Sequence, residues 1–158
     1  MKNEQALRQH VVFLLKGEGA HAGFESAVKD MPASHQGSRP HGLTHSPWEL
    51  LEHLRIAQWD ILEFTRDAKH VSPEWPAGYW PVSPAPPDSH AWGKSVAAFR
   101  TNLDAMVDLV RSESTDLFAP LPHDAGKTVL REALLLADHN AYHLGQLVLV
   151  RRLLGAWG

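Results

Sequence analysis

The strongest fold signal in the chain is in residues 128–158: TVLREALLLADHNAYHLGQLVLVRRLLGAWG. Its apolar periodicity predicts one long helix, which Thr128 can cap at the start and Gly155 can terminate. Side chains four residues apart lie on one face of a helix. His139 and His143 have this spacing, so we expect their imidazoles to point in the same direction, on a mostly apolar face.

A second strongly periodic stretch, residues 46–64, reads SPWELLEHLRIAQWDILEF. Its start is well marked, because Ser46 can cap the helix and Pro47 suits the first helical position. Glu49 completes a capping box with Ser46. His53 lies on the inward stripe of this helix. The chain therefore predicts two long helices that both direct histidines toward a core.

Two weaker periodic stretches bring the number of predicted helices to four, and no stretch shows the alternation of a strand. Asp88 or Ser89 can cap the third helix. The predicted helices span about 4–16, 46–66, 89–112 and 128–154, with a short helical piece at 23–30 and loops at 32–45 and around Pro120 and Pro122.

The connection between the second and third helices is unusual. Residues 71–88 contain six of the eleven prolines of the chain, which excludes a continuous helix there. The stretch is too long for a simple hairpin loop and could span the length of the other helices, at about 3.3 Å per residue. We therefore predict an all-α fold, a four-helix bundle with a long crossover between the second and third helices, as a single domain over residues 1–158.

Composition excludes several classes of function. The net charge is −3 and no helix carries a basic stripe, so nucleic acid is not an expected partner. The chain has no cysteine, which excludes disulfides, thiolate ligands, iron–sulfur clusters and a cysteine nucleophile. No apolar run reaches the roughly 20 residues of a membrane span or the length of a signal peptide core. We predict a soluble, cytoplasmic protein.

The histidines point to metal chemistry. His139 and His143 lie on one core-facing surface, and His53 lies on another. All three imidazoles need partners, since unpaired buried polar groups are costly. Three convergent imidazoles without a fourth protein ligand suit an open, catalytic type of metal site. The alternative is that these histidines are buried and satisfied by ordinary hydrogen bonds, and the spacing alone does not decide between the two.

Several polar side chains are candidates for a role around such a site. Glu49 lies one turn from His53, whereas Asp60, two turns away, is better suited to a second layer or to a structural contact. Gln146, one turn beyond His143, could bind substrate, orient a water or simply pack. His21 and His45 would approach the site only if the first helix or the 32–45 loop covered it.

Two further features bear on the reaction. The metalloprotease motif needs Glu directly after its first histidine, and this chain has Asn140 there, so peptidase activity is not expected. Aromatic residues in the proline-rich stretch could form a lid or substrate wall, or could plug one end of the bundle. These residues are Trp75, Tyr79 and Trp80.

The two histidine blocks, SPWELLEHLRIAQWDILEF and DHNAYHLGQLVLVRRLLGAW, resemble the DinB-like superfamily of metal-binding four-helix bundles. The likeness extends over nearly the whole chain, including the stretch WPAGYWP. It implies a bundle with a crossover and a divalent metal held by three histidines, which correspond to His53, His139 and His143 here.

The resemblance does not supply a reaction. Relatives with known activity include transferases and isomerases that use low-molecular-weight thiols. We therefore expect a metal-dependent enzyme, a hydrolase or a thiol-dependent transferase, that acts on a small molecule with Zn²⁺, Ni²⁺ or Fe²⁺. The alternative is a non-catalytic module that binds a metal or a stress-related ligand. The apolar fourth helix is compatible with a homodimer.

Overall fold

The computed structural model describes residues 2–157 and is mostly helical, as predicted. Within these residues it has six α-helices, one 3₁₀ turn and one two-stranded hairpin. The helices are α1 (Lys2–Leu15), α2 (Phe24–Val28), α3 (Ala33–Gln36), α4 (Pro47–Arg66), α5 (Ala91–Arg111) and α6 (Val129–Leu153), the 3₁₀ turn is Ala77–Tyr79, and the strands are β1 (Pro120–Leu121) and β2 (Asp124–Thr128).

Two of the predicted helix caps, Ser46 and Thr128, are confirmed. Ser46 accepts a hydrogen bond from the backbone N–H of Glu49, and the Glu49 carboxylate accepts one from the backbone N–H of Ser46. Thr128 caps α6 by accepting from the N–H of Arg131. Beyond the end of α6, Gly155 has a φ of +67°, a left-handed conformation that glycine adopts without strain.

The structure corrects three of the predictions. Residues 120–128, expected to be loop up to Thr128, form an antiparallel hairpin. Its second strand reads DAGKT and has no apolar alternation, so only backbone pairing reveals it. The 32–45 loop contains the short helix α3, and α5 begins after His90 rather than at Ser89. Asp88 still contributes there, because its carboxylate accepts from the backbone N–H of His90.

The four long helices pack around a shared core. α4 packs against both α5 and α6, and α1 packs against the same two helices. One core cluster contains Leu51, Phe99 and Leu147, and a second contains Leu62, Met106 and Leu136. Burial of these side chains is the main stabilising contribution to the fold.

The relative direction of α4 and α5 follows from two polar contacts. The hydroxyl of Ser95 donates to Glu52, and the Gln58 side chain, further along α4, donates to the carbonyl of Phe99, further along α5. The two helices therefore run the same way, and the chain between them returns along their length.

The returning segment, residues 67–90, is held against α4 by side chains. Asp60 accepts hydrogen bonds from the hydroxyl of Tyr79 and from the imidazole of His70, at 2.6 and 2.7 Å. Near the start of α4 the hydroxyl of Ser46 donates to the carbonyl of Pro84. These contacts place the segment along α4, from Asp60 back to the cap residue Ser46. None of the helices within residues 2–157 is long and apolar enough to cross a bilayer.

Candidate metal centre

Three histidines from two helices meet at one point. Nε2 of His53, on α4, lies 3.1 Å from Nε2 of His143 and 3.1 Å from Nε2 of His139, both on α6. One ligand atom of each residue lies within 4.8 Å of the others, an arrangement that could hold a metal ion. The structure therefore brings together all three residues that the sequence singled out.

The local sequence explains this convergence. His139 and His143 are one turn apart on α6, and Leu136, Leu144 and Leu147 anchor that helix in the core. α4 runs in the opposite direction, so its early residues face the later turns of α6. His53 is 4 % exposed, whereas the other two histidines are partly exposed.

The outward nitrogens of two of these rings determine where their protons are. Nδ1 of His53 donates to the backbone carbonyl of Tyr79 at 2.9 Å. Nδ1 of His143 donates to Oε1 of Gln146 at 2.7 Å. Both partners are oxygens that only accept, so each Nδ1 carries the hydrogen and each neutral ring has a lone pair on Nε2.

Two lone pairs therefore face each other 3.1 Å apart, between His53 and His143. A hydrogen bond cannot form between two unprotonated nitrogens, and their repulsion would be relieved by a cation. Three ligands in a tetrahedral zinc site, with Zn–N distances of 2.0–2.1 Å, lie about 3.3 Å apart. The two 3.1 Å distances from Nε2 of His53 are close to this value, and the three ligand atoms all lie within 4.8 Å of one another, so the residues present fit a divalent metal.

Burial keeps the three imidazoles neutral. It lowers the pKa of His53 to about 4, although the hydrogen bond to the Tyr79 carbonyl acts in the opposite direction. Burial also lowers the pKa of His139 to about 3, helped by the nearby His143 and His53 rings. The pKa of His143 is lowered for the same main reason. Neutral imidazole is the form that binds metals.

Trp80 covers one side of the centre. Its ring stacks on His53, with ring centroids 3.9 Å apart and planes within 1° of parallel. His45 stacks on Trp80 as well, 4.1 Å away. His45 is therefore a neighbour of the centre through Trp80. It does not belong to the group of three ligand histidines. His21 is exposed, its ring contacts the neighbouring Ala22 carbonyl, and it does not belong to the ligand group.

The polar candidates have different roles from those considered first. Glu49 is occupied by the capping box and by the guanidinium of Arg39, and these contacts direct it to the start of α4. Asp60 acts indirectly. It accepts a hydrogen bond from the Tyr79 hydroxyl, and the Tyr79 carbonyl in turn orients His53. Gln146 orients His143 directly, a role that the sequence alone left among several.

The three aromatic residues of the proline-rich segment also have different roles. Trp80 forms a wall of the centre, and Tyr79 contributes its carbonyl and its hydroxyl to positioning. Trp75 packs edge-on against Tyr79 but remains 75 % exposed, so it does not plug the end of the helices. Tyr142 lies edge-on to His143 and is itself 64 % exposed.

Sequence reasoning missed a buried amide pair beside the histidines. Gln58 is fully buried and donates to the Phe99 carbonyl over 2.6 Å. Asn140 is 4 % exposed and donates from Nδ2 to Oε1 of Gln58 over 2.8 Å. The available signal was an amide side chain in each helix at a core position, which needs a partner. Within residues 2–157 no fourth histidine, aspartate or glutamate joins the ligand group.

The sequence profile of the DinB superfamily matches residues 17–147. This range contains all three histidines and the whole of α4 and α5, and it covers most of the 158 residues. No curated protein and no solved structure matches the chain.

Proposed function

This chain belongs to the DinB superfamily, and we propose that it is a divalent-metal-binding protein that uses an open three-histidine centre as a metal-dependent enzyme on a small molecule. The proposed ligands are His53, His139 and His143. The observation that carries the proposal is the approach of two Nε2 atoms to 3.1 Å in rings whose Nδ1 atoms both contact oxygens. The proposed architecture is a four-helix bundle of α1, α4, α5 and α6, with residues 67–90 as the crossover.

The chain's own residues prepare the centre for a cation. The Tyr79 carbonyl and the Gln146 amide hold two ligand rings in the tautomer that presents Nε2. Burial keeps the rings neutral, and Trp80 shields the face of His53. A divalent cation bound there would supply Lewis acidity and activate water or a thiol at its open position.

The open side favours an enzyme over a purely structural site. Structural zinc sites are closed by four protein ligands, whereas catalytic sites keep a position for water or substrate. Three ligands and two partly exposed rings match the second description. Hydrolysis and transfer involving a low-molecular-weight thiol both use this arrangement, and we propose these two reaction types. Asn140 is bonded to Gln58 and cannot act as a general base, which argues against peptidase chemistry.

Metal analysis tests the first part of the proposal. Full-length protein purified without chelators should contain about one divalent ion per chain, which elemental analysis would also identify. His143→Ala should lose the ion, because two imidazoles hold a divalent cation much more weakly than three. His41→Ala is a matched control, since His41 is exposed and outside the group, and it should retain the ion. Folded wild-type protein that binds no added zinc, nickel or iron would remove the basis of the proposal.

A turnover assay tests the second part. Small esters, amides and thiol conjugates would be screened with intact protein, with chelator-treated protein and with the His143→Ala variant. We expect activity that is lost with the metal and restored when it is returned. A bound metal without turnover, closed by a further ligand, would favour the alternative of a non-catalytic binding module. The thiol, the homodimer and the cytoplasmic location remain predictions from the sequence.

A further inference from the structure

Two buried polar atoms are unusual because they have no hydrogen-bond partner. Among the side chains of residues 3–157 they are Nδ1 of His139 and Oδ1 of Asn140. Buried polar groups in native proteins are nearly always paired. The two residues are consecutive in α6, and the two atoms are complementary, because an imidazole nitrogen can carry a hydrogen and an amide oxygen can only accept one.

The orientation of the Asn140 amide is fixed from the opposite side. The backbone carbonyl of Phe99 can only accept, so the Gln58 atom 2.6 Å from it must be the amide nitrogen. Oε1 of Gln58 then faces Asn140 and accepts from its Nδ2 over 2.8 Å. The amide oxygen of Asn140 therefore remains free to accept a hydrogen bond. The orientation of both amides is set by the backbone carbonyl of Phe99 on α5.

We propose that Asn140 accepts the Nδ1 proton of His139 and that Gln58 and Asn140 together form a relay that fixes the tautomer of this ligand. The relay keeps Nε2 of His139 unprotonated and directed at the other two histidines. The inference rests on the proposed metal-binding function, because it assigns positioning residues to that site. The Asn140 side chain also opposes the lowering of the His139 pKa by burial, as expected for an amide beside the ring.

With this relay all three ligands follow one rule. The Tyr79 carbonyl accepts from His53, and the Gln146 amide oxygen accepts from His143. In the proposed relay the Asn140 amide oxygen, which has no other partner, accepts from His139. Each outward Nδ1 has an oxygen that only accepts, so each inward Nε2 presents a lone pair. Gln58 and Asn140 contact no Nε2, and their effect on metal binding passes entirely through His139.

The test measures zinc affinity of the full chain by competition with a chromogenic chelator. Asn140→Leu keeps the side-chain shape but removes the acceptor, and Gln58→Met allows the Asn140 amide to turn its nitrogen toward His139. Both should weaken zinc binding about 10- to 100-fold. Asn140→Asp still offers an oxygen to His139 and should retain most of the affinity. Thr65→Val is the matched control, a buried hydroxyl of α4 that bonds only to Ile61 of its own helix.

A second measurement separates this inference from the proposed function. Imidazole ¹⁵N chemical shifts of the metal-free chain report which nitrogen of His139 carries the hydrogen. We expect Nδ1 in the wild type and a shift toward Nε2 in Gln58→Met, which keeps the test decisive if Asn140→Leu does not fold. A wild type that holds the hydrogen on Nε2, or variants that bind zinc as tightly as Thr65→Val, would overturn the relay. A wild type with the expected tautomer that binds no metal would support the relay and reject the metal site.

Discussion

Each ligand histidine has one nitrogen that faces the centre and one that faces outward, and the outward contact determines the chemistry of the inward one. His53 and His143 show this directly, because their outward hydrogens are held by oxygens of Tyr79 and Gln146. A neutral imidazole has only one N–H, so a donor fixed on Nδ1 leaves a lone pair on Nε2. At this scale the centre is defined by hydrogen-bond polarity as much as by residue type.

Burial of these rings predicts a pH-dependent stability for the metal-free protein. The unfolded chain has histidine pKa values near 6.5, whereas burial lowers the folded pKa of His53 to about 4 and that of His139 to about 3. Below pH 6.5 the unfolded chain therefore binds more protons than the folded chain, and stability falls as the pH falls. We expect urea denaturation to give a lower free energy of unfolding at pH 5 than at pH 7.

The comparison variant is His139→Gln. It removes the histidine whose folded pKa is the lower of those of His53 and His139. Its free energy of unfolding should depend less on pH between 7 and 5 than that of the wild type, whatever its absolute stability. An identical slope in the two proteins would show that His139 is not kept neutral by burial.

At the scale of elements, the start of α4 joins two parts of the molecule. Ser46 caps the helix by accepting from the N–H of Glu49, and its hydroxyl donates to the carbonyl of Pro84 in the returning segment. Thr128 caps α6 by accepting from Arg131. Ser46 is fully buried and Thr128 is half-buried.

We predict that Ser46→Ala destabilises the protein more than Thr128→Ala. Loss of a cap costs about 1 kcal/mol, and Ser46→Ala also leaves the Pro84 carbonyl without its donor, for a total of about 2 kcal/mol. Urea denaturation of both variants at pH 7 measures the difference. Equal losses would mean that the contact with Pro84 contributes nothing to stability.

The returning segment explains why the region of highest proline content belongs to the centre. Its regular structure is one 3₁₀ turn at residues 77–79, yet Asp60 fixes Tyr79 through the phenolic hydroxyl. Burial and this carboxylate raise the pKa of Tyr79 to about 12, which keeps the hydroxyl protonated and able to donate. An irregular segment therefore delivers a carbonyl and an indole ring to His53.

At the scale of the whole molecule, the proposed ligands join two helices that are far apart in sequence. His53 and His143 are separated by 90 residues, so a metal that binds all three histidines binds only the folded chain. Ligand binding to the folded state alone raises stability by about 2.7 kcal/mol when the free ligand is 100-fold above its dissociation constant. We predict this increase for zinc, measured by thermal or urea denaturation of metal-free protein titrated with the ion.

His143→Ala should show little of this stabilisation at the same zinc concentration, and His41→Ala should show all of it. An equal increase in wild type and His143→Ala would place the stabilising zinc elsewhere, among the other histidines of the chain.

Elements with a local signal could be predicted from the sequence. Apolar periodicity and cap residues located the long helices, and Ser46 and Thr128 form the hydrogen bonds that were expected of them. The spacing of His139 and His143 placed two imidazoles on one face, because helical geometry repeats every few residues. The hairpin at 120–128 was missed because its pairing involves backbone groups of polar residues that carry no periodic signal.

The groups that surround the histidines could not be predicted, because they depend on how distant parts of the chain pack. The acceptor for His53 is the backbone carbonyl of Tyr79. Every residue type has such a carbonyl, so no sequence pattern could identify this one as the partner of His53. The bond between Gln58 and Asn140 joins positions 82 residues apart, and it depends on how α4 and α6 pack. Local sequence fixes the direction of a side chain relative to its own helix, whereas the packing of helices against each other fixes which atoms that side chain meets.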